Sequence, residues 1–152
     1  ITNNKELDTS PTFSPDGSRI AFVSERGGNP QIYVMDTSGG NARRLSYQGG
    51  NAYDPAWSPD GTMIAYVAER SGEGFEIYVL NVADSKNFKR LSDSGGSNES
   101  PSWSADSRHV IFASSRSAGW TLWTVNVNTG DQYPVPNLKA SCQGPSWGPR
   151  RQ

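Results

Sequence analysis

The sequence predicts an all-β fold, a β-propeller fragment made of three four-stranded antiparallel blades. Three observations carry that prediction. The first is an internal repeat. SPTFSPDG (10–17) returns as DPAWSPDG (54–61) and SPSWSADS (100–107), with a clipped copy, GPSWGPRR, at 144–151. Aligned on its aromatic, the motif places Phe13, Trp57, Trp103 and Trp147 at steps of 44, 46 and 44 residues. Ile20, Ile64 and Val110 keep the same register, as do Phe22, Tyr66 and Phe112, then Tyr33, Tyr78 and Trp123, and Leu45 and Leu91. A period near 45 suits a propeller blade or a helical repeat of similar length. The second observation decides between them: no stretch has helical spacing with caps, and each unit holds four short β-branched and aromatic runs cut by Gly, Asn, Asp and Ser. The third is that the middle runs, RIAFV and QIYVM in the first unit, are nearly all apolar. Strands read that way when both faces of their sheet are covered, as between two neighbouring blades.

In the first unit the innermost strand is expected at 11–14, followed by strands at 18–24, 31–36 and 42–46. Pro15-Asp16-Gly17 makes the first turn: Pro presets φ, Asp bonds its own backbone, and Gly takes the left-handed position. Gly27-Gly28-Asn29-Pro30 and Ser38-Gly39-Gly40-Asn41 suit the next two hairpins. The blades are expected at about 9–52, 53–98 and 99–142, with a lone closing strand and tail over 143–152. The motif aromatic of each unit is expected to wedge between neighbouring blades.

Composition narrows the function classes. Only 34% of the 152 residues are hydrophobic and the mean hydropathy is −0.67. Disorder is the alternative that such values raise. The 5 Trp, 6 Tyr and 5 Phe, many at matching repeat positions, argue against it. A net charge of −1 disfavours a nucleic-acid partner held by bulk charge. Apolar runs such as IAYVA (64–68) fall far short of the ~20 residues that insert into a membrane as a helix. The chain starts at Ile1, which suggests a processed product or an excised piece.

The pattern SPxWSPDGxxIAYxSxR…IYVxD…RLS resembles the PDG-type WD-like repeats of TolB-type propellers. Residues 10–46 match it closely and 54–92 nearly as well. The third unit lacks the Pro and Gly of the turn and has QYPVP where RLS is expected. The resemblance covers essentially the whole chain and implies a C-terminal half: TolB-type propellers have six blades, and this chain holds three. Ile1-Thr2 then reads as the end of a strand from a preceding blade, and Gly144 to Gly148 as a lone innermost strand. An open arc exposes the apolar flanks of its end blades, which favours association. Either the chain is half of a longer propeller, or two copies pair to complete the ring.

The search for chemistry finds mostly absences. His109 is the only histidine and aligns with Arg19 and Met63 at a strand start. No GxSxG elbow accompanies it, so a Ser-His-Asp triad is not expected. One His and one Cys cannot supply a usual zinc site. Cys142, in SCQG, has no basic neighbour to activate it. No phosphate loop or EF-hand pattern occurs; DTSGGN (36–41) is a turn. What remains is a set of charged positions at one end of the blades: Asp8, Asp54 and Glu99 near the start of the innermost strands, and Arg26, Arg70 and Arg116 at the end of the second strands. In a meander these loops share one face. The structural reading is acid–arginine pairing, worth ~0–1 kcal/mol per exposed pair. The functional reading is a polar rim at the mouth of the central channel that holds a peptide or a cation. Tyr47, Tyr53 and Trp120 fall in loops on that face, and aromatics and arginines are the commoner hot spots.

The TolB resemblance implies a non-catalytic periplasmic component of the Tol-Pal envelope-integrity system, binding a partner such as a peptidoglycan-associated lipoprotein at the channel mouth. It also implies Ca²⁺ as a candidate channel ion, since carboxylates supply the oxygen ligands calcium takes. The alternative is the gating propeller of a prolyl oligopeptidase-type peptidase without its catalytic domain. A polygalacturonate-lyase-like propeller is disfavoured by the lone histidine.

Overall fold

The computed structural model describes residues 2–93, 95–136 and 141–148. Its strands form three separate sheets, each a four-stranded antiparallel meander. The first holds β1 (Asp8–Phe13), β2 (Arg19–Ser24), β3 (Gln31–Asp36) and β4 (Arg43–Arg44). The second holds β5 (Ala52–Trp57), β6 (Met63–Glu69), β7 (Phe75–Asn81) and β8 (Phe88–Arg90). The third holds β9 (Asn98–Trp103), β10 (His109–Ser117), β11 (Gly119–Asn126) and β12 (Gln132–Pro134). The innermost strands β1, β5 and β9 neighbour one another, while β2 and β3 pack on β5, and β6 and β7 pack on β9. These are three radiating blades, as the repeat predicts. In the first blade the inner strand begins at Asp8, three residues before the expected 11, and ends at Phe13.

The repeated SPDG motif is a hydrogen-bonded turn. Ser14 Oγ donates to Asp16 Oδ1 (2.6 Å) and accepts from Arg19 N (2.9 Å), while Asp16 Oδ1 also accepts from Ser18 N (3.1 Å). Those bonds hold the Asp16 carboxyl down at about 2. Ser58, Asp60, Thr62 and Met63 repeat the pattern, as do Ser104, Asp106, Arg108 and His109. In the third unit Ser107 replaces glycine at a left-handed φ of 58°. Its Oγ accepts from Asp60 N of the second blade at 3.1 Å, a bond no glycine could make. The same motif kinks the inner strand. Ladder register shifts between Thr9 and Thr12 and between Tyr53 and Ala56, and again opposite Ile111 and Ala113. Ser10, Asp54 and Ser100 hold φ of 51°, 51° and 56° at these bulges. Each precedes a proline, which is tolerated where the ladder is already broken.

Two cores lie between blades. Ala21, Val23, Ile32 and Val34 of the first blade meet Trp57, Ile64, Tyr66 and Leu80 of the second. Ala65, Val67, Ile77 and Val79 of the second meet Trp103, Val110, Phe112 and Val125 of the third. Successive residues of β6 therefore serve opposite junctions, which is why that strand reads as a continuous apolar run. Trp57 Nε1 donates to Thr12 O (3.2 Å) and Trp103 Nε1 to Ala56 O (2.9 Å), so each motif tryptophan is bonded to the blade before it. At the outer rim Arg43 Nη2 reaches Val82 O (2.6 Å) and Lys89 Nζ reaches Val127 O (3.2 Å).

Two expectations need correction. Phe13 does not wedge between blades: it is 62% exposed, against 8% for Trp57 and 6% for Trp103. It lies on the free flank of the first blade, where no described sheet faces it. Residues 144–148 do not form a strand. An inner strand is held by the second strand of its own blade, and no described strand follows this one. The segment still keeps the repeat's geometry. Gly144 has φ 61° before Pro145, as at the three bulges. Gly144 and Pro145 line the same central cavity of about 380 Å³ as Ser10, Asp54 and Ser100. Trp147 stacks on His109 (6.5 Å, 28°), as Trp57 lies under the guanidinium of Arg19 (5.0 Å). The expected tail from 149 onward and Ile1 lie outside the described residues.

Candidate functional site

The three repeated arginines do not behave alike, and one local residue explains why. Arg26 Nε donates to Ser24 Oγ and Arg116 Nε to Ser114 Oγ, both at 2.8 Å. This anchors each guanidinium over the rings of its own blade: Arg26 over Phe22 (5.1 Å) and Tyr33 (5.0 Å), Arg116 over Phe112 (5.5 Å) and Trp123 (4.1 Å). In the second blade the serine is Ala68. Arg70 has no such anchor and turns to Glu73 (3.3 Å) and Glu76 (3.8 Å). Tyr66 and Tyr78 stack on each other there (5.6 Å), and the buried Tyr66 hydroxyl has no hydrogen-bond partner.

The three acids are not equivalent either. Asp8 opens β1, at the place of Ala52 and Asn98. Asp54 is the bulge residue of β5, at the place of Ser10 and Ser100. Glu99 is the second residue of β9, at the place of Thr9 and Tyr53. Only Asp8 pairs with its arginine, at 3.4 Å. Burial works against the Asp8 charge, but hydrogen bonds from Ser24, Thr2 and Asn4 and the Arg26 charge outweigh it, and its carboxyl titrates below the ordinary range. In the third blade Arg116 Nη2 donates to Asn98 Oδ1 (3.3 Å), a neutral counterpart of that pair. Asp54 and Glu99 have neither hydrogen bond nor ion pair among the described contacts. Asp54 stands exposed on the channel wall, yet the surrounding protein pushes its carboxyl up. Glu99 is half-buried; burial raises its carboxyl, and the charge of Asp54 raises it further.

Asp54 and Glu99 share a cavity of about 240 Å³ at the inner end of the second junction, walled by Tyr53, Val67 and Phe75. The Tyr53 and Phe75 rings meet edge to face at 6.1 Å and 76°. Tyr53 lies in β5 rather than in a loop. Trp120 also lies in a strand, β11, and stays apart from this cavity: its N–H donates to Ser141 Oγ (3.3 Å), and its carbonyl accepts from Cys142 N (3.0 Å). Tyr47 is exposed beneath the Arg44 guanidinium (4.7 Å).

Beside this cavity lies a buried bolt. Glu76, 2% exposed, accepts from Ser92 Oγ and from Asn98 Nδ2 (3.1 Å). At the first junction Gln31 takes the same role: Oε1 accepts from Ser46 Oγ (2.6 Å) and Nε2 donates to Gly50 O (2.8 Å). Burial raises the Glu76 carboxyl, against the lowering pull of Ser92 and the Arg90 and Arg70 charges.

The family model for the PD40 "TolB beta propeller domain" matches residues 1–151. The chain belongs to the TolB β-propeller family. The protein TolB homolog of Chlorobium luteolum is 49% identical over 43 residues, and the Tol-Pal system protein TolB of Bordetella pertussis is 50% identical over 42. Each stretch covers 28% of this chain but 10% of the relative. Among solved structures, a TolB from Agrobacterium tumefaciens superposes with a TM-score of 0.84 at 26% identity, over 95% of this chain and 52% of that one. TolB from Acinetobacter baumannii gives 0.75 at 27%, over 91% and 34%. A puromycin-hydrolyzing peptidase of Mycobacterium tuberculosis shares the fold, with 0.74 at 20% identity over 88% and 22%. The chain thus spans about half of the first of these structures.

In this TolB-family propeller Asp54 and Glu99 are the carboxylates that line a common cavity, and among the described residues no three His, Cys, Asp or Glu side chains gather. Sequence reasoning missed Glu76, Phe75 and Val67. Two signals pointed to them. SxR in the first and third units becomes AxR in the second, and Gln31 aligns with Glu76 two residues before the conserved-register tyrosine.

Proposed function

We propose that this chain is a non-catalytic, protein-binding propeller, part of a TolB-like periplasmic component of the Tol-Pal system, with its binding site at the rim of the central channel. The partner in this reading is a peptidoglycan-associated lipoprotein. The observation that carries it is the pair Asp54 and Glu99: two carboxylates with no partner among the described residues, beside a cavity with aromatic walls. Binding residues concentrate at such places. The names of the Chlorobium and Bordetella relatives support the Tol-Pal assignment and, with it, the periplasm. Calorimetric titration with the periplasmic domain of such a lipoprotein tests the reading. Asp54→Ala with Glu99→Ala is expected to abolish binding while the melting temperature holds or rises. Loss of stability with unchanged binding would overturn it.

A second reading, the gating propeller of a prolyl oligopeptidase-type peptidase, draws on the fold shared with peptidase structures. The parent reading frame separates the two. A small α/β domain upstream fits the first, and a GxSxG-bearing domain downstream fits the second. Completion of the ring by a second copy is tested by light scattering, where a clean monomer at micromolar concentration excludes it.

A further inference from the structure

We infer that the cavity between the second and third blades is a socket for one arginine side chain presented by the partner, an inference that rests on the binding reading above. Thr9, Tyr53 and Glu99 occupy the same place in their inner strands. Tyr53 pairs with Val67 across β5 and β6, packs against both cores, and forms with Phe75 the ring wall of the cavity. Glu99 of the next blade lines the same cavity, and about 240 Å³ stays open there. That is roughly the volume of eight waters, the space of one long side chain.

The walls specify what enters. Tyr53, Val67 and Phe75 offer apolar and ring surface, and Asp54 and Glu99 offer carboxylate acceptors that no described residue uses. Among the described residues the repeated arginines are held elsewhere: Arg26 by Asp8, Arg70 by Glu73 and Glu76, Arg116 by Ser114 and Asn98. In this reading the partner brings the neutralising charge. A planar guanidinium stacks on rings and forks onto carboxylates in a way an ammonium does not. The molecule already uses that combination of ring and acceptor for Arg26 and Arg116.

The test is titration of the full 152-residue chain, followed by amide NMR, with a capped tripeptide carrying a central arginine and with its citrulline twin, which keeps the shape and drops the charge. The arginine peptide is expected to shift the amides of Tyr53, Asp54, Phe75 and Glu99 and to bind about tenfold more tightly than the citrulline peptide, the scale of a charge-assisted hydrogen bond. Glu99→Tyr, which puts a bulky ring into the cavity, should abolish the effect. Asp54→Asn with Glu99→Gln should equalise the two peptides without altering the cavity's shape. Equal binding of both peptides to the unmodified chain, or unchanged arginine binding in both variants, would overturn the socket. If the arginine peptide binds and the lipoprotein domain does not, the socket stands and the lipoprotein reading falls. If the lipoprotein domain binds and the two peptides do not differ, the socket falls and the lipoprotein reading stands.

Discussion

The junction between the first and second blades and the junction between the second and third are built from the same repeat, yet they are finished differently. The first is bolted by a neutral group: Gln31 joins Ser46 to Gly50. The second is bolted by an acid at the same place, Glu76, and carries Asp54 and Glu99 beside the cavity at its inner end. Glu76 is satisfied by Ser92, Asn98 and Arg70, whereas Glu99 has no partner among the described residues. A repeat scaffold tolerates this because each blade contacts only its neighbours. One junction can then carry a charged rim while the other supplies stability.

The largest effect that separates the regions concerns the motif aromatics. Trp57→Ala and Trp103→Ala are each expected to cost about 3–5 kcal/mol in urea unfolding, because both rings are enclosed and hydrogen-bonded. Phe13→Ala should fall within about 0.5 kcal/mol of the unmodified chain, as surface changes do. A comparable loss for Phe13 would show that its flank is covered in solution. Next comes the bolt. Glu76→Ala leaves Ser92, Asn98 and Arg70 without their acceptor and should cost about 2 kcal/mol, and Glu76→Gln, which copies Gln31, should recover most of it.

A smaller effect, of opposite sign, belongs to the inner end. Glu99→Tyr should stabilise by about 1 kcal/mol, the usual return for filling a cavity. The pH dependence sharpens the same contrast. Asp54 and Glu99 ionise less readily folded than unfolded. Below the ordinary carboxylate values of about 3.9 and 4.3 both states are protonated and nothing is lost. As pH rises past them the unfolded chain ionises first, so stability falls, and the loss is complete above the raised folded values. Asp54→Asn with Glu99→Gln should flatten that fall in melts taken between pH 4 and 7, a range of roughly neutral-to-acid conditions spanning carboxylate titration. Asp16 works the other way: its depressed carboxyl favours the folded state above the ordinary value, and that support fades as pH drops towards 2. The smallest change is Ala68→Ser, which gives Arg70 the anchor that Arg26 and Arg116 enjoy. It should add about 0.5 kcal/mol and draw Arg70 away from Glu73, visible as a shift of the Arg70 Nε resonance.

The blades were legible because the determinants are local and periodic. Ser14, Asp16 and Gly17 specify a turn wherever they recur, and β6 announces its two buried faces by reading MIAYVA. The site was less legible because its register hangs on the bulge. Asp8, Asp54 and Glu99 look like one repeated acid when counted from the motif's proline and serine. Counted along the folded strands they are the first, third and second residues, with three separate environments. What an arginine meets then depends on a serine two residues upstream and on the residue that opens the inner strand, Asp8 or Asn98, and no acid-to-arginine spacing records that. Trp120 illustrates the same limit: a residue beside a Gly turn reads as loop, but β11 starts at Gly119 and takes it in.

The most direct test is a site-resolved carboxyl titration by ¹³C NMR. Asp54 and Glu99 should titrate above their ordinary values and Asp8 and Asp16 below theirs, in one protein and one experiment. Asp54 and Glu99 titrating at or below the ordinary values would mean that a group within the chain already satisfies them, and the unpartnered rim at the second junction would not exist.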